Sequence, residues 1–149
     1  MEPNMFCYQC QETAKGTGCI LKGVCGKESH TAQAMDLLLF VVRGVSVVAD
    51  VLRKADCPVS EEVNIFVTDA LFCTITNANF DDESILKRVD KGITMRNGLI
   101  QEAKNNKVLL PKVDELIWQG TRDDYAGKAK TVGVLREQNE DLRSLKELL

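Results

Sequence analysis

The sequence predicts an all-α protein, on three observations. The run from Ala32 to Lys54 is apolar over most of a helical circumference. Two further stretches, Val63 to Thr74 and one opening near Ile85, carry apolar residues at helical spacing. Short turn-forming breaks join the three, which is the connectivity of a three-helix bundle. A chain of 149 residues fits one domain and buries a core without covalent staples. Aromatics make up only 5%, so that core is expected to be built from Leu, Val, Ile and Ala.

The first element is not a helix. Residues 5–28 are glycine-rich, with no helical or alternating period, so their shape is expected to come from something they bind. Ser29 or Thr31 then caps the first helix, Ala32 to Lys54. Asp36, Arg43 and Asp50 recur every seven residues as one thin polar stripe, and Gly44 marks the close approach of a neighbour. The stretch "DCPVSEE" is a turn, with Ser60 the cap of a second helix. Its Val63, Phe66, Val67, Ala70, Leu71 and Thr74 form one inward face. "TNANFDD" ends that helix, and Asn79 or Asp81 caps a third, with Ile85, Val89 and Ile93 inward, reaching about Asn105.

Residues 106–138 carry weaker signals: Pro111, Trp118 as a packing anchor, and a short helix near Asp123–Lys130. Asn139 caps a last helix with Glu140 and Asp141 in its first turn, where acids favour the helix dipole. Leu142, Leu145, Leu148 and Leu149 run to the final residue without a cap, so the chain is expected to be a fragment. The expected organisation is a cysteine-rich loop over 1–30 and a three-helix bundle over 31–105. Residues 106–149 then hold a connecting segment and the first helix of a truncated second bundle, all in one structural domain.

Charge and hydropathy exclude several functions. A net charge of −3 with no basic run argues against nucleic acid. The most apolar segment, Leu37 to Val42, is followed at once by Arg43, whereas a membrane span needs about 18 apolar residues. The N-terminus has no positive or apolar signal region, so a cytoplasmic location is expected. In that reducing compartment structural disulfides are disfavoured.

Four of the six cysteines, Cys7, Cys10, Cys19 and Cys25, fall in one C-x2-C-x8-C-x5-C array. Two intervening residues let one turn aim Cys7 and Cys10 at a single centre, and the glycine-rich spacers can fold Cys19 and Cys25 around its other side. Zinc takes the same four thiolates, but its usual signature is two C-x2–4-C knuckles, and this array has one. Uneven spacing around glycine suits the wider cubane cluster. It differs from the common ferredoxin runs. On spacing alone, iron–sulfur leads, with zinc and then disulfides behind it. Cys57, in a turn, and Cys73, at a core edge, need no ligand role, since free cysteine packs as a small hydrophobe. His30 is placed outside the ligand set.

The segment "MFCYQCQETAKGTGCILKGVCGK" closely resembles the N-terminus of the hybrid cluster protein family, also called prismane proteins or hydroxylamine reductases. The resemblance continues through "DLLLFVVRGVSV", "TITNANFDD", "KAKTVGVL" and Gln138 to Leu145, covering essentially the whole chain. It implies that Cys7, Cys10, Cys19 and Cys25 hold a [4Fe-4S] cubane, their spacing matching that branch of the family rather than the [2Fe-2S] branch. It implies a helical first domain of two three-helix bundles. It also implies that a hybrid iron–sulfur–oxygen cluster, where hydroxylamine or nitric oxide is reduced, is held by His, Glu and Cys of later α/β domains that this chain lacks. The chain is thus expected to be the electron port of such a reductase, fed by a redox donor protein and completed by those missing domains. Whether the chain alone is an enzyme is left open by the resemblance, because no hybrid-cluster ligand lies within it. Alternatives are a zinc-stabilised helical interaction module and a standalone [4Fe-4S] carrier. Lys15, Lys22 and Lys27 share the cysteine loop, and are expected either to offset the cluster charge, to steer an acidic donor, or simply to be solvated.

Overall fold

The structure, a computed structural model, describes residues 5–148, with side chains as far as Lys146. The fold is all-α, as expected, and no strand forms among the described residues. Helix α1 (Ser29–Lys54) is its axis, and α2 (Glu61–Ile75), α3 (Asp82–Asn105), α4 (Asp114–Ile117) and α5 (Tyr125–Val132) all pack on it. Its Leu37, Leu38, Val41, Val45, Val48 and Leu52 are fully buried, which follows from an apolar surface on nearly every side. The expected cap is wrong. Glu28 precedes the helix without a side-chain cap, and Ser29 and Thr31 lie inside it. The Thr31 hydroxyl is drawn instead to Asp82 Oδ1 at 2.7 Å, tying the starts of α1 and α3 together.

The caps of α2 and α3 are those the sequence predicts. Ser60 Oγ accepts from the Glu62 amide at 3.2 Å, and Asp81 Oδ1 from the Glu83 amide at 3.1 Å. Asn79 holds the turn before α3 by accepting from the Asp81 amide. Val63, Phe66, Ala70, Ile85 and Val89 are buried as expected. Leu71 is not: it lies 42% exposed, and Cys73 joins the inner face beside Thr74. Ile65, Phe72 and Ile75 are exposed as well, so α2 is apolar on both faces and its spacing alone does not select the inner one.

A connection that the sequence leaves shapeless is held by one buried cation. Arg96 of α3 is wholly buried and donates to the carbonyls of Glu115 and Trp118, each at 2.8 Å. This fastens α4 across α1 at Gly44, where an added Cβ would lie 2.7 Å from the Glu115 carbonyl oxygen. Trp118 packs edge-on against Phe40 at 5.8 Å and beside Tyr125, as an anchor should. After a 3-10 turn at Arg122–Asp124, α5 matches the short helix expected there. Leu116, Tyr125 and Ala129 enter the same core as α1 to α3.

Helix α6 (Glu140–Leu148) starts as expected, with Asn139 Oδ1 accepting from the Leu142 amide at 3.0 Å. Leu142 and Leu145 are about half exposed, while Leu149 and the Leu148 side chain lie outside the described residues. The Arg143 guanidinium sits 4.8 Å above the Phe6 ring, bringing α6 to the N-terminal loop. No helix among the described residues is long and apolar enough to cross a membrane.

Candidate metal centre

The loop before α1 is shaped by backbone pairing rather than by a core. Cys7 and Cys19 exchange amide–carbonyl hydrogen bonds of 3.0 and 2.9 Å, and the Met5 amide reaches the Ile20 carbonyl. The two cysteines therefore sit opposite one another on antiparallel limbs. Gly18 makes this crossing with a φ of 108°, and its missing side chain leaves room for the Phe6 ring, which an added Cβ would meet at 2.5 Å. Met5, Cys19 and Ala32 form a small buried cluster there, separate from the main core. Between the limbs, Thr13 is buried and binds the Cys7 carbonyl at 3.2 Å.

The environment favours anionic sulfur. The Ala14 amide donates to Cys19 Sγ at 3.4 Å, and the Thr13 hydroxyl lies 3.6 Å from the same sulfur. Burial by itself raises the Cys19 thiol pKa. The amides of Ala14 and Val24, the Thr13 hydroxyl and the Lys27 charge outweigh it, so Cys19 lies below the ordinary thiol value. Lys27 is 1% exposed, and its Nζ donates to Cys7 Sγ at 3.6 Å and to Gln9 Oε1 at 3.2 Å. Amides, a hydroxyl and a buried ammonium aimed at sulfur are what a thiolate-bound, negatively charged centre requires.

The four array cysteines do not stand equally. Cys7 and Cys19 are paired directly, whereas Cys10 is half-buried one turn beyond Cys7, its carbonyl accepting from the Thr13 amide. Cys25 is exposed on the limb that returns to α1, beside Gly23. All six cysteines are free thiols in this fold. Among the described residues no three His, Cys, Asp or Glu side chains converge as closely as one metal ion requires. A single zinc draws thiolates to about 2.3 Å from one point. The donors around Cys7 and Cys19 suit thiolate ligands, whether of a single ion or of a cluster.

The other sequence candidates fall outside this loop's chemistry. Cys57 Sγ turns to the Ala55 carbonyl, and Cys73 is buried in the main core with its pKa raised by that burial. The exposed His30 ring pairs with Asp82 rather than with any cysteine. Of the three loop lysines, Lys22 is paired with Glu28 and Lys15 is exposed, so only Lys27 points inward. Thr13 and Gln9 are not legible as site residues from the sequence. The one signal for Lys27 in the sequence is its place directly after Gly26, which takes a φ of 95° in the turn from Gly23 to Lys27.

A family model described as Prismane/CO dehydrogenase family matches residues 5–149. The chain belongs to that family. Proteins named hydroxylamine reductase are similar to it over nearly its full length. One from Bacteroides thetaiotaomicron is 54% identical over 98% of this chain, one from Porphyromonas gingivalis 46% over 99%, and one from Nitratidesulfovibrio vulgaris 44% over 97%. The chain spans about a quarter of the length of these curated family members, 26% of the first and 27% of the other two.

Proposed function

We propose that this chain is the iron–sulfur electron port of a hydroxylamine reductase of the prismane family, with Cys7, Cys10, Cys19 and Cys25 as ligands of a [4Fe-4S] cluster. The observation that carries the reading is the loop's polarity: amide, hydroxyl and ammonium donors all aim at Cys7 and Cys19 sulfur. High identity to proteins named hydroxylamine reductase supports the reaction class. Bound there, such a cluster supplies one-electron storage and transfer.

The chain's own residues hold and screen the ligands. Pairing of the Cys7 and Cys19 backbones fixes two sulfurs on opposing limbs, and the Thr13 and Ala14 donors stabilise negative charge on one of them. A redox donor protein would approach from the side of Cys25, which is exposed. The electrons would pass to a hybrid cluster in further α/β domains, which would reduce hydroxylamine or nitric oxide in the cytoplasm. Serine in place of Cys7, Cys10, Cys19 or Cys25 should abolish the visible iron–sulfur absorption that dithionite bleaches. Cys57→Ser and Cys73→Ala should keep it. Retention of full absorption in any two of the first four variants would contradict the ligand set.

A further inference from the structure

Lys27 is the anomaly of the loop. A buried ammonium costs several kcal/mol unless negative charge lies beside it, and among the described residues no carboxylate pairs with this one. Among the described residues, its ammonium donates to the neutral Gln9 side-chain carbonyl and to Cys7 sulfur. The burial is built in rather than incidental. The Gly23 amide closes a tight turn by donating to the Lys27 carbonyl at 2.8 Å. A side chain at Gly23 would press on the Lys27 backbone amide and Cβ at about 3 Å, so glycine there seats the lysine stem.

We propose that Lys27 is the internal counter-charge of the thiolate centre, holding the Cys25 limb against the Cys7 limb and raising the reduction potential of the bound cluster. This rests on the cluster assignment above. A fixed positive charge at 3.6 Å from a ligand sulfur favours the more negative, reduced state of the centre. Lys22 and Lys15 cannot do the same, the first because Glu28 neutralises it at the surface and the second because water screens it. Lys27 acts through Cys7, so it is a positioning residue rather than a catalytic one.

The test compares Lys27→Met and Lys27→Arg with the parent chain, each purified anaerobically, checked for helix content and titrated for midpoint potential. Lys27→Met should shift the reduction equilibrium at least tenfold against the reduced cluster, about 59 mV for one electron, while Lys27→Arg stays within threefold of the parent. Loss of iron in Lys27→Met alone, with Lys27→Arg still loaded, would equally support the charge requirement. An unchanged potential in Lys27→Met would overturn it, as would loss of iron from both variants, which would make the stem and not the charge essential. A parent chain without iron and sulfide would sink the cluster assignment itself, a result separable from either.

Discussion

Asp90 of α3 gathers donors from a segment more than thirty residues away. Its carboxylate accepts from Tyr125 Oη at 2.7 Å and from Arg122 Nε and Nη2, while the rest of that guanidinium grips Glu83. Burial tends to raise the Asp90 pKa, but the Arg122 and Tyr125 donors win and hold it below the ordinary carboxylate value. The folded state therefore prefers ionised Asp90. The stabilisation is complete above the unfolded value of about 4 and is lost as pH falls through the folded one. Tyr125 runs the other way: burial, then the Asp90 carboxylate, raise its phenol, so its contribution is present below about pH 10 and lost as pH climbs. Because Asp90 is partly exposed, Asp90→Asn should cost only about 1 kcal/mol at neutral pH. It should lower the urea midpoint with an unchanged slope and flatten the acid limb of stability. An acid limb as steep as the parent's would show that other carboxylates carry it.

Helix α3 offers one substitution with two opposite outcomes. An added Cβ at Gly92 would lie 2.6 Å from Val41 Cγ1 and 2.8 Å from Phe66 Cζ, whereas at exposed Gly98 it would meet nothing within 4 Å. Gly98→Ala should stabilise by roughly 0.5–1 kcal/mol through helix propensity and unfolded-state entropy. Gly92→Ala should destabilise by about 1–3 kcal/mol, since overpacking outweighs that gain. Thermal midpoints that move the same way in both would refute this packing of α1, α2 and α3. The same helices show what the sequence could carry. Ser60, Asp81 and Asn139 were readable as caps because each bonds an amide two or three residues ahead. Thr31 misled because its acceptor is 51 residues away on α3. Leu71 misled because α2 is apolar on both faces. Helix α4 was invisible because its place is set by Arg96, a charged residue whose burial no local pattern announces.

At the scale of the whole molecule, a single long helix carries the core at its middle and the cysteine loop at its start. Helix α6 then comes back over that loop through Arg143 and Phe6. The cysteine array stands out in the sequence because four thiols at fixed spacing within nineteen residues are a chemical pattern in themselves. The surrounding donors do not, since Thr13, Ala14 and Lys27 reach sulfur only after glycines turn the limbs toward each other. The exposed Leu142 and Leu145 on α6 accompany a chain about a quarter as long as its curated relatives.

The function proposed for the loop depends on one inorganic body bridging four sulfurs. Iron and acid-labile sulfide per chain, measured after strictly anaerobic purification, address that most directly. About four of each are expected. A colourless chain with one tightly held zinc, or with no metal at all, would contradict the assignment.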